Sequence, residues 1–138
     1  MENHNQKIYS QEAILALAAA IGRDDDAFNW LMENDNKELA ALADVLLYRK
    51  SAALEWLKNN QFSIIVSFIG ALGDEEDAIN YLMLNHAKQW AATADLVNGN
   101  EEAQDWLAQF FPHFGKLADS LISNSWPVRR RGYGGGNW

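Results

Sequence analysis

Residues 20–46 read AIGRDDDAFNWLMENDNKELAALADVL and residues 71–97 read ALGDEEDAINYLMLNHAKQWAATADLV; at this offset of 51 they share 13 identities in 27 ungapped positions. The shared pairs include Gly22/Gly73, Asp26/Asp77, Asn29/Asn80, Asn34/Asn85, Lys37/Lys88 and Asp44/Asp95. Identity of that depth is internal duplication, so the chain is built from a repeated unit. A shorter motif adds two further units, one between these segments and one after them. It is Ala27-Phe-Asn-Trp30-Leu31, Ala53-Leu-Glu-Trp56-Leu57, Ala78-Ile-Asn-Tyr81-Leu82 and Ala103-Gln-Asp-Trp106-Leu107, with the aromatic recurring at spacings of 26, 25 and 25.

Each unit reads as two short helices. Asp24, Ser51, Asp74 and Asn100 stand where an N-cap side chain satisfies the first free N–H groups. Acidic residues follow in three of the four units and complement the helix dipole. Ala, aromatic and Leu fall at i, i+3 and i+4, one face of a helix, which predicts Trp30, Trp56, Tyr81 and Trp106 as a buried stripe. Asn34, Asn60 and Asn85 follow the aromatic by four residues and suit a left-handed helix end. The second helix is predicted at Glu38–Leu47, Phe62–Leu72, Lys88–Val97 and His113–Ile122, with Gly73 and Gly99 as stops after two of them. A lone equivalent of that second helix, Gln11–Ile21, precedes the array.

Helices of roughly ten residues are unstable alone in water, so stacking must hold them. The predicted fold is all-α, an α-solenoid of about nine short helices in antiparallel hairpins, of either superhelical hand and without a sheet. Residues 1–9 are assigned to an N-terminal tail and 10–124 to the repeat domain. That domain divides into a half-repeat at 10–23 and repeats near 24–50, 51–73, 74–99 and 100–123. Residues 125–138 form an Arg/Gly/aromatic tail.

Over residues 11–122 the pattern resembles, in its logic, the helical-hairpin arrays of the armadillo, HEAT and tetratricopeptide kind, with a shorter period and without their signatures. Its A-x-x-W-L and L-A-x-L-A-D helices look like those of an uncharacterised bacterial short-repeat family. That resemblance implies an interaction scaffold and transfers no activity.

Composition sets the limits. The chain has 138 residues, no Cys, 49% hydrophobic residues and a formal charge of −8. One soluble domain is predicted, with no disulfide framework and no thiolate chemistry. The longest apolar run, Ala13 to Gly22, is about half a membrane span. Although Lys7 and that run superficially resemble a secretion signal, Glu2 and Glu12 and the repeat match argue against one, which leaves the cytoplasm as the expected compartment. The first 126 residues hold eight cations against nineteen carboxylates, a charge of −11, and the last twelve carry +3. An acidic body repels a phosphate backbone, so nucleic acid is admitted as a partner only through the tail.

No motif for a nucleophile, a phosphate loop or a zinc site occurs, and no enzyme activity, metal or cofactor is predicted. His4 lies in a polar stretch, His86 takes the turn position of Asp35, and His113 opens the last helix. Asp24–Asp26 and Asp74–Asp77 lack the spacing of a calcium loop and read as helix starts. Asp44, Asp95 and Asp119 recur in the second helix, either bonding to the next repeat or forming an acidic ladder for a basic partner. Departures from the repeat mark candidate contact sites. Trp90 stands where the earlier unit has Leu39, and reads as packing or as an exposed anchor. Phe110-Phe111-Pro112-His113-Phe114 replaces the helix-ending Asn and reads as a terminal cap, with Phe111 a second candidate anchor. Ala13–Ile21 shows no polar face, so a tail, a second copy or a partner covers it, or its alanines simply face water.

Gly and Pro prevent the tail from continuing the array, yet it carries Trp126, Arg129, Arg130, Arg131, Tyr133 and Trp138. The leading expectation is a non-enzymatic protein-binding module, acting on a protein partner or a second copy through a repeat face and this tail. The alternatives are a nucleic-acid accessory protein stacking Arg, Tyr and Trp on RNA or single-stranded DNA, and a recognition domain that displays its tail to a processing enzyme.

Overall fold

A computed structural model describes residues 7–124. Nine helices occupy them: α1 (Gln11–Ile21), α2 (Asp25–Glu33), α3 (Lys37–Tyr48), α4 (Ser51–Asn59), α5 (Ser63–Leu72), α6 (Glu76–Leu84), α7 (Lys88–Val97), α8 (Glu102–Phe110) and α9 (Pro112–Ser123). No strand occurs among the described residues, so the chain is the all-α array of hairpins that its repeats imply.

Short connections make successive helices antiparallel, and the five odd-numbered helices therefore run in one direction. Each packs on the next, α1 on α3, α3 on α5, α5 on α7 and α7 on α9. The series then closes, because α9 packs on α1. The Ser120 hydroxyl donates to the carbonyl of Ala18 across this seam. The even-numbered helices lie outside the ring, each against the two odd helices that flank it in sequence. The apolar first helix is thus covered by α9, which turns an array with two open ends into a ring.

The core fills the ring with Ile14, Leu17, Leu42, Phe68 and Leu117, all without exposure. Each outer helix drives one leucine into it, Leu31, Leu57, Leu82 or Leu107, also fully buried. Burial of such a side chain contributes about 1.5–3 kcal/mol. The aromatic before each leucine was expected to be buried and is not: Trp30, Tyr81 and Trp106 are half-buried and Trp56 is 39% exposed. One residue along a helix is a turn of about 100°, so when the leucine points inward the aromatic lies on the flank. Trp56 there stacks on Phe62 at 5.6 Å, and Trp106 lies 5.6 Å from Phe110 and 5.4 Å from Phe111.

The turns differ from expectation by one residue. Asn34, Asn60 and Asn85 keep negative φ, and each Nδ2 donates to the carbonyl four residues back at 2.8 Å. The left-handed residue is the next one, Asp35, Gln61 or His86, with φ between 60° and 62°. The Asn side chain ends the helix by satisfying a last-turn carbonyl, a role that needs no left-handed backbone. Likewise Gly73 has a negative φ and Asp74 takes the left-handed position, whereas Gly99 occupies it at φ 102°. Asp24 caps α2 as read, but Lys50 and Glu75 take the cap positions of α4 and α6, next to the expected Ser51 and Asp74.

A candidate aromatic docking pocket

The odd helices all begin at one mouth of the ring, and their first residues build the site. Residues 7–9, which the sequence division leaves in a tail, run across this mouth. Tyr9 enters it: its hydroxyl donates to Glu38 Oε2 at 2.7 Å, and its ring meets Trp90 edge-on at 6.0 Å. Lys7 pairs with the same Glu38 carboxylate and donates to the Asp35 carbonyl at 2.8 Å. Glu38 is only 3% exposed, and a buried carboxylate requires such partners. Burial, and then the Glu38 charge and hydrogen bond, push the Tyr9 hydroxyl far above its usual titration range.

Trp90 lies at the centre of the cluster. Phe68 and Phe114 each stand 5.0 Å from its ring in edge-to-face geometry. At 3% exposure Trp90 is a buried residue and not the exposed anchor considered from the sequence; it packs between Tyr9, Phe68 and Phe114. Phe111 sits 6.1 Å from Phe114. The Phe110–Phe114 stretch caps no open end, because ring closure leaves none, and it narrows the mouth instead.

Between these groups lies a cavity of about 450 Å³, bounded by Tyr9, by Phe62 and Ile65 of the α5 start, and by Trp90, Phe111 and Phe114. Its polar edge is Asn85, His86, Gln89 and His113. Burial lowers the pKa of His113, favouring its neutral form. Both histidines face the cavity, yet among the described residues no carboxylate lines it, so neither imidazole has an acid partner there to orient it as a base. Nor do any three His, Cys, Asp or Glu side chains of the described residues group as a metal would need. Two of its lining residues are exposed apolar side chains, Ile8 at 92% and Phe110 at 55%.

Trp90 and Phe111 are therefore brought to one cavity, while Trp126, Arg129, Arg130, Arg131, Tyr133 and Trp138 lie outside the described residues. The recurring aspartates form no continuous ladder: Asp44 is half-buried 3.6 Å from Lys50, Asp95 is buried, and Asp119 is exposed. Sequence reasoning missed Tyr9, Phe62, Gln89 and Phe110 as one site. They come from four separate parts of the chain, and only Phe110 departs from the repeat in a way that could have marked it.

Fold and site together define a class, a closed ring of helical hairpins with an aromatic pocket at the mouth where the inner helices begin. No family model, curated protein or solved structure matches the chain. Among the described residues no helix is long and apolar enough to cross a membrane.

Proposed function

We propose that the chain is a non-enzymatic protein-interaction scaffold, which takes an aromatic or bulky apolar side chain of a protein partner into the ring mouth. One observation carries this reading: a cavity floored by Trp90, Phe111 and Phe114 is also lined by the exposed Ile8 and Phe110. An anchor in a pocket within a wider apolar rim is the anatomy of a protein docking site, whereas a small ligand would leave that rim in water. The formal charge of −8 favours a protein over a nucleic-acid partner. The reading rests on this geometry and not on membership of the short-repeat family that the sequence resembles.

Selection of a displayed random-peptide library on the full chain tests it. The expected peptides share an aromatic or large aliphatic anchor and bind at least tenfold more weakly to Phe110→Ser and Ile8→Ser. Peptides without a common anchor, or with unchanged affinity for both variants, would reject the pocket as the docking site.

A further inference from the structure

The histidines of the chain are His4, His86 and His113, and the two among the described residues line the same cavity at the ring mouth. His86 is exposed in the left-handed turn before α7, where the equivalent turns carry Asp35 and Gln61. His113, half-buried in the first turn of α9, lies 5.1 Å from the Phe114 ring and 6.3 Å from the Phe111 ring. Both imidazoles therefore border the apolar space that an anchor would fill, and Gln89 adds an amide to the same edge.

The charge of this edge departs from that of the chain. Through residue 126 nineteen carboxylates outnumber eight cations, yet among the described residues no carboxylate lines the cavity. The titratable groups that do line it are Lys7 and Tyr9 from the segment before α1, His86 from the turn between α6 and α7, and His113 from α9. Helices α1, α3, α5, α7 and α8 put no charged side chain on it. Lys7 and Tyr9 are both committed to Glu38, at the start of α3. The two histidines are left to meet an incoming group. A neutral imidazole offers one N–H; an imidazolium offers two, together with a positive charge.

We infer that the partner segment docked at the ring mouth carries an acidic side chain next to its anchor, and that His86 and His113 hold this carboxylate. The inference rests on the docking reading above and adds the partner's chemistry to it. The anchor lies against Trp90, Phe111 and Phe114, and the acidic side chain lies on the polar edge beside it. An opposite charge favours the protonated imidazole, so binding draws protons onto the pair. Affinity is therefore greatest below the histidine range near 6.5 and declines as pH rises through it. Burial holds the free His113 toward its neutral form, which a docked carboxylate offsets. A basic flank would meet like charge on the imidazoles and find no carboxylate in the cavity, so the edge also selects against the opposite partner.

End-blocked heptapeptides with a central Trp, Phe or Leu in a Gly/Ser background, flanked by Asp, Asn or Lys, provide the test in NMR titrations of the full chain. At pH 5.5 the Asp peptides are expected to bind at least about fivefold more tightly than Asn peptides with the same anchor, and the Lys peptides most weakly. At pH 8 the margin of Asp over Asn should fall below about twofold. In the double variant His86→Gln, His113→Gln that margin should stay below about twofold at both pH values. Equal affinity of Asp and Asn peptides at pH 5.5, or a preference for Asp that persists in the double variant, would overturn the inference while docking at the mouth stands. Binding by no peptide, or signal changes confined to residues away from the cavity, would overturn the docking reading and the inference together.

Discussion

Ser120 in the last described helix donates its hydroxyl proton to the backbone carbonyl of Ala18 in the first, across 102 positions of sequence. In an open array of repeats those helices would be the two ends. Here they are neighbours, and the closure draws Tyr9 and the starts of α5, α7 and α9 around one mouth. The pocket is a product of the closed ring.

Tyr9 fixes the segment before α1 to the start of α3. Tyr9→Phe leaves the buried Glu38 carboxylate short of one donor and is expected to cost about 1–3 kcal/mol by urea unfolding at neutral pH. The hydroxyl titrates far higher in the folded chain than in the unfolded one, so its stabilisation is complete below the ordinary tyrosine value near 10 and is lost as pH rises above it. The gap between wild type and Y9F should therefore narrow in alkali; a constant gap would deny the Tyr9–Glu38 contact.

Trp90 touches Tyr9, Phe68 and Phe114. Trp90→Ala is expected to destabilise the chain by about 3–5 kcal/mol, as large-to-small changes in aromatic cores do. A loss below about 1 kcal/mol would show that the ring does not depend on this cluster.

Two glycines should respond with opposite signs. A Cβ at Gly115, inside α9, meets nothing within 4 Å, so Gly115→Ala should stabilise by up to about 1 kcal/mol. At Gly70 the same atom would lie 3.0 Å from the Ala78 Cβ and 3.2 Å from Glu75 Oε1, forcing α5 from α6 at a cost of about 1–3 kcal/mol. Melting temperatures that move in the same direction would contradict this packing.

Burial lowers the pKa of His113. The unfolded chain then takes up the proton first as pH falls below about 6.5, and the folded state loses stability through that range. Wild type should weaken relative to His113→Asn between pH 7 and pH 5, in denaturant titrations of both. Parallel pH profiles would place His113 in open water.

Much of the fold was legible because each unit repeats the same physical instructions. The second helices read at Glu38–Leu47, Phe62–Leu72, Lys88–Val97 and His113–Ile122 lie at Lys37–Tyr48, Ser63–Leu72, Lys88–Val97 and Pro112–Ser123. Ring closure was not legible, because it depends on the small rotation between successive hairpins, which packing among Ala43, Phe68, Trp90 and their neighbours sets in three dimensions. The site was legible only in part. Trp90 and Phe111 broke the repeat and both reach the pocket, but Trp90 does so as its buried floor. Nothing local marked Tyr9, whose role exists only once α3 and α7 are beside it.

The most direct measurement is the distance between spin labels at Glu12→Cys on α1 and Lys116→Cys on α9, both exposed positions on opposite sides of the seam. Adjacent inner helices are separated by about 8–10 Å, so a closed ring predicts one narrow distribution at a single helix spacing plus the label arms. An open array would put four such steps between the same helices, roughly 32–40 Å before the label arms, and a distribution centred there would contradict the ring and remove the pocket with it.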